Sequence, residues 1–302
     1  MTYSSGNTIL ATDYNTFVGT VNTVIGNSAS YQSSAGYAQT TIASVSASGT
    51  VNASEWATLI AAVKLAATHQ GTTINLPATA LATGNTIEAL DGTTSSSGTY
   101  DLSTAVTNIS ANKNNVDAAA QTTISAVTVM TRATTWTDTI NAEWYIQFAS
   151  QVAADAFFNT GGELHISLTH PNGAGAQDVD WRAILTTKIG TMKMSRAGFT
   201  RTGSSGTVFN VGFVNLTGTY QSIFTGTNIG AGQYAANDIV FNAKLDTSNH
   251  RVYFNVTFTD AHVPISPSTV DTVSAGTTIA MGYRKSSTYT IATPTATTAE
   301  AL

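Results

Sequence analysis

The sequence predicts an α+β protein, with a helical N-terminal domain followed by an antiparallel β-sandwich that carries one or two short helices. Three observations point there. Apolar residues recur at helical spacing before about residue 130, and mostly in strict alternation after it. Between them, residues 144–169 spell a strand, a capped helix and a second strand in direct succession. The second half is also cut by turn signals at the short intervals of a sandwich of about 160 residues.

The first helix follows Thr12 or Asp13 as cap and buries Tyr14, Phe17, Val18, Val21, Val24 and Ile25, closing at Gly26. Residues 27–49 are rich in Ser, Ala and Gly and read as a long loop. A second helix opens at Asn52, where Glu55 three residues on completes a capping box. Its stripe is Trp56, Leu59, Ile60, Val63 and Ala67, and Gly71 ends it; the two helices should pack as a pair. Residues 72–100 are loop-like, punctuated by Pro77, Gly84, Gly92 and Gly98. From Asp101 a third helical pattern runs to residue 127 with a narrow apolar face. The domains expected are 1–130, a helical attachment or oligomerisation domain, then 131–292, the sandwich, and 293–302, a flexible tail.

In the central stretch Trp144, Ile146 and Phe148 alternate along a strand, Ser150 caps a helix, and Gly161-Gly162 stops it before Leu164, Ile166 and Leu168 resume alternation. Adjacent helical positions point about 100° apart, so Phe157 is expected in the core and Phe158 at its boundary. A short helix holds Trp181, Ile184 and Leu185, and Met192 and Met194 lie on a strand after Gly190. Val211 and Phe213 are read as another strand. Ile239 to Leu245 and Val252 to Phe258 form a hairpin turned by DTSNH at 246–250. A last strand pair is expected at Ile279–Met281 and Tyr289–Ile291.

Composition narrows the function. Charged residues make up 10% of the 302, against roughly a quarter in ordinary soluble proteins. A surface of hydroxyls and amides suits a chain that buries itself against copies or neighbours. The net charge of −5 leaves no basic patch for nucleic acid. There is no cysteine, hence no disulfide and no thiolate metal site. The first residues lack a secretory pattern, and no run nears the about 18 apolar residues of a membrane span. No internal repeat or sustained heptad is present.

Candidate chemistry is sparse. His165 and His170 fall on opposite faces of a regular strand and cannot chelate one metal from it. His69 is placed to cap carbonyls at a helix end, and His250 and His262 at turns. Asp178 and Asp180 could serve glycoside hydrolysis as paired carboxylates, but acidic residues are also what a helix N-terminus prefers. No G-x-S-x-G elbow occurs, and the glycines near Gly84 and at 226–232 lack the lysine and frame of a phosphate loop. No metal or cofactor is expected. Trp181, Tyr220, Phe224 and Tyr234 fall in or near loops and are candidates for contact with a protein partner or a glycan; the alternative is that they cover the ends of the sandwich.

Several segments resemble virion structural proteins of contractile-tailed bacteriophages. GNTILATDYNTFVGTVNTVIG, GYAQ (36–39), EWATLIAAV and ATHQGT (67–72) are similar to the leader of those proteins. The stretch from Trp136 through FFNTGGELHISLTH to DWRAIL and GTMKM resembles their recurring module, as do NVGFVNLTGTYQSIFT (210–225) and HRVYFNVTFTDA. The order of the segments along the chain carries the likeness. It implies a tail, fibre, baseplate or neck component of the phage particle, assembled in the host cytoplasm, with no catalytic residues to carry over. The implied partners are other virion proteins. Low charge density and the polar back of the 101–127 helix add copies of itself, as trimers or hexamers. A host-surface glycan-binding adhesin is the alternative, and a glycan-degrading enzyme a further one.

Overall fold

Alternation and helical spacing turn into most of the elements they predict. In a computed structural model, which describes residues 10–76, 102–171, 173, 175–262, 272–300 and 302, the chain is α+β with two antiparallel sheets. The expected loop at 77–100, the start of the third helix at Asp101 and the first residues of the leader lie outside the described residues.

Contacts divide the chain into two units that are not contiguous stretches. The first is Met1–Thr122, Asp155–Gly161 and Lys285–Ile291; the second is Thr123–Ala154, Gly162–Arg284 and Ala292–Leu302. This division differs from a single boundary near residue 130, because two later segments return to the first unit.

In the first unit, α1 (Ala11–Ile25) and α2 (Ala53–Gln70) bury the stripes read from their spacing. Tyr14 meets Trp56 edge to face at 5.2 Å. α1 begins after Leu10 rather than Thr12, and Asp13 accepts a hydrogen bond from the Leu10 N–H. At α2 the capping box forms as expected, with the Asn52 N–H donating to Glu55 at 2.6 Å, and Gly71 closes the helix at φ +65°. α3 (Leu102–Ala111) is shorter than the pattern to 127, because Asn112, Lys113 and Asn114 form a turn instead. The 27–49 loop is clamped to α1 by side-chain amides: Asn15 bonds both backbone groups of Val45, and Asn22 both of Ile42.

The second unit holds both sheets. β1 (Ser125–Thr131), β10 (Thr278–Arg284), β3 (Glu163–Thr169), β4 (Met192–Met194) and β5 (Phe199–Arg201) lie in that order in one of them. The other runs β11 (Thr295–Glu300), β2 (Thr139–Gln147), β9 (Arg251–Thr259), β8 (Asp238–Asp246), β7 (Gln221–Gly226) and β6 (Thr207–Val208). Along β2, β8 and β9 every second side chain is buried, and Trp144 stacks on Phe254 at 5.6 Å across the β2–β9 pair. The DTSNH turn forms as expected: Asp246 accepts from the Ser248 and Asn249 N–H groups, and His250 takes φ +56°. α5 (Ala176–Ala183) runs on into a π-helical turn, Ile184–Ile189, which Gly190 ends.

Three local expectations are corrected. The stretch expected as a loose tail, 293–302, holds a strand, because β11 pairs antiparallel with β2. Val211 and Phe213 are not on a strand; Phe213–Asn215 is a 3-10 turn. Tyr289–Ile291 is not the partner of β10, which pairs with β1 and β3.

α4 (Gln151–Asn159) is capped by Ser150, whose hydroxyl accepts the Ala153 N–H at 3.1 Å. Phe157 and Phe158 are exposed by 0% and 1%, so neither sits at a boundary. The reason lies in the first unit: the 28–36 loop closes over this turn, Asp155 accepting from Ser28 and the Gln32 N–H, and Asn159 donating to the carbonyls of Ala35 and Gly36. Phe157→Ala in the full chain should cost about 3–5 kcal/mol, read as a lower urea midpoint. Gly161→Val should also destabilise, because Gly161 has φ +77° and an added Cβ would fall 2.5 Å from Val116. An unchanged midpoint in both variants would contradict this packing.

Candidate functional site

Burial sorts the four aromatic candidates. Trp181, Phe224 and Tyr234 are buried, so they are not exposed contacts. Trp181 joins Trp136 at 4.9 Å and Phe258 at 6.0 Å in the core. Tyr220 alone of the four is half-exposed, and it lies against the outer face of the six-stranded sheet.

Alternation builds that face. The positions opposite the core on β2, β9 and β8 carry Tyr145, Tyr253 and Lys244, and the register places Tyr253 directly opposite both of the others. One pleat away are Gln147, Arg251 and Asp246. Arg251 lies over the Tyr145 ring at 4.2 Å, donates from Nε to Gln147 at 2.6 Å and reaches the Tyr253 hydroxyl at 3.1 Å. Lys244 Nζ sits 4.4 Å from the Tyr220 ring centre and 4.8 Å from that of Tyr253. The Tyr220 hydroxyl donates to Glu143 at 2.6 Å; burial, then the adjacent carboxylate, push its pKa up. A hollow of about 430 Å³ opens beside Lys244, lined also by Glu143, Gly218, Asp246, Ser248 and Tyr253. Aromatic faces, a cation, carboxylates and hydroxyls converge here, which is the chemistry of a small polar ligand site.

The histidines and aspartates resolve differently. His165 and His170 are kept apart, as their spacing predicts. His165 bonds Glu163 at 3.1 Å on the outer side of β3. Burial would raise the Glu163 pKa, but hydrogen bonds from His165, Arg284 and Lys193 outweigh it and hold the carboxyl down at about 2. His170 is buried, with Nε2 3.0 Å from Asp178 and Nδ1 3.0 Å from the Thr277 hydroxyl. Asp178 also accepts from the Ser274 N–H and hydroxyl. A hydroxyl, an imidazole and a carboxylate in a row have the connectivity of a nucleophile and its base. Thr277, His170 and Asp178 are only 1%, 4% and 2% exposed, and the row fastens the segment after β3 to the residues before β10.

Asp178 and Asp180 have opposed shifts. Burial raises both, but Ser274 and His170 bring Asp178 below its ordinary value, while Asp180 stays above. Residues two apart on a helix diverge by about 200°, so the pair does not face one substrate. Asp180 instead meets Asn237 at 3.4 Å. Asp178 does stand in the first turn of α5, where an acidic residue suits the helix dipole, and its oxygens bond His170 and Ser274. His69, expected to cap carbonyls, is buried, and burial pushes its pKa down to about 4, so it is neutral and adds nothing to the helix dipole.

Comparison with protein-family models finds no match, and no curated protein or solved structure shows significant similarity to this chain.

Two outcomes follow from the buried charges. The folded Glu163 carboxyl lies below its ordinary 4.5, so the unfolded chain takes up the proton first as pH falls. Its contribution is whole above 4.5 and is lost progressively toward about 2. Urea midpoints across that range should fall more steeply for the wild type than for Glu163→Gln; parallel curves would contradict the shift. His170→Ala should cost about 1.5–3 kcal/mol in the same assay, because it leaves a buried carboxylate short of a partner. A midpoint unchanged from the wild type would count against that network.

Proposed function

We propose that this chain is a structural component of a contractile-tailed phage particle, in its tail, fibre, baseplate or neck, and that it acts through protein–protein contact rather than catalysis. The observation that carries this reading is the order in which segments resembling such proteins succeed one another along the chain, from the α1 leader to the β8–β9 hairpin. The placing of ionisable groups supports it: Glu163, His170, Asp178 and Asp180 are buried and bound within their own unit, where they hold segments together. The low density of charge supports a surface made for contact with copies of itself and with other virion proteins. Among the described residues no helix is long and apolar enough to cross a membrane.

Mass spectrometry and density maps of purified particles should place the chain in the tail, fibre, baseplate or neck. Sedimentation of the purified protein should show trimers or hexamers. A chain absent from the particle and monomeric at high concentration would overturn the reading. A second reading, an adhesin module that contacts glycans, is favoured by the outer face around Tyr145, Tyr220 and Tyr253.

A further inference from the structure

The cations of the second unit differ in how they are engaged. Arg251 is held by Gln147 and two tyrosines, Lys193 and Arg284 pair with Glu163, and Lys188 donates to the Ile229 carbonyl at 2.5 Å. Lys244 is an exception. Two ring faces hold its ammonium, yet among the described residues no carboxylate or carbonyl accepts from it. Ring faces attract the charge but are weaker acceptors than oxygen, so the ammonium keeps donor capacity for an oxygen ligand at the rim of the hollow.

The acceptors of the hollow are also incompletely engaged. Glu143 takes the Tyr220 hydroxyl on one oxygen, and among the described residues nothing bonds the other. Asp246 uses its oxygens on the turn that follows it, with lone pairs to spare. The hollow's volume lies in the roughly 300–1,000 Å³ range of small-ligand sites.

We propose that this hollow binds one acidic sugar residue of a polysaccharide. The sugar carboxylate meets the Lys244 ammonium, its hydroxyls donate to Glu143 and Asp246, and its apolar face lies toward Tyr253. A hollow lined by one cation and two carboxylates selects a ligand with a single negative group and several hydroxyl donors. An acidic peptide or a polyphosphate would bring further negative charge against Glu143 and Asp246 and be repelled. The proposal rests on the glycan-contact reading and names the chemical class of its ligand.

The test is titration of the full chain, by calorimetry or NMR, with a glucuronate-containing oligosaccharide and with its neutral glucose counterpart. The acidic sugar should bind more tightly, and added salt should weaken it. Lys244→Gln should lose about tenfold for the acidic sugar, as expected for one charge-assisted contact, and nothing for the neutral one. Equal binding of both sugars, with Lys244→Gln silent, would overturn the acidic specificity and leave glycan contact standing. Binding of neither sugar would overturn both. Binding of poly-glutamate as tight as that of the acidic sugar would overturn the sugar assignment. Should Lys244→Gln fail to fold, the salt dependence and the acidic-to-neutral ratio of the wild type still decide the question.

Discussion

Strict alternation along β2, β9 and β8 is the constraint on which the second unit depends. Ile140, Ala142, Trp144 and Ile146 face inward from β2, and Val252, Phe254, Val256 and Phe258 meet them from β9. A slip of one residue in either pairing would expose that whole set and bury Glu143, Tyr145, Arg251 and Tyr253. The stacked Trp144–Phe254 pair marks the correct register, because large rings on facing positions add to the energy of area burial. The register that fills the core also assembles the outer face, since both faces belong to the same strands.

Polar groups inside the second unit follow a consistent rule. A buried carboxylate is costly unless its oxygens are bonded, and each one here draws partners from segments distant in sequence. Glu163 gathers His165 from its own strand and Lys193 and Arg284 from the two strands beside it. Asp178 gathers His170 and Ser274 from either side of a long excursion of the chain. Such groups give specificity to places where hydrophobic packing alone would tolerate alternatives. Their cost in desolvation is offset only while every member is present, which concentrates sensitivity at His170 and Glu163.

The outer face of the six-stranded sheet is organised by the opposite economy, with charge left accessible and held by rings. Tyr145, Tyr220 and Tyr253 carry their cations above their faces, an arrangement that keeps long side chains ordered in contact with water. Order at a surface lowers the entropy lost on binding, so this face is prepared for a ligand in a way that a bare hydroxyl surface is not.

The sequence by itself determined what is local. Helical spacing and caps were enough for α1 and α2, alternation was enough for β2 and for the β8–β9 hairpin, and Gly71 and Gly161 were legible as left-handed stops, because each depends on residues a few positions apart. Tyr220 was legible as a contact candidate, but Lys244 was not, since a lysine between two rings has no signature along the chain. Only the tertiary structure decided that Trp181, Phe224 and Tyr234 are buried, that His170 answers Asp178, and that 295–300 is a strand. An edge strand of Thr and Ala has little pattern of its own; its order comes from β2, some 150 residues earlier in the chain. Pairing and burial are properties of what a residue meets, and what it meets is set by the fold.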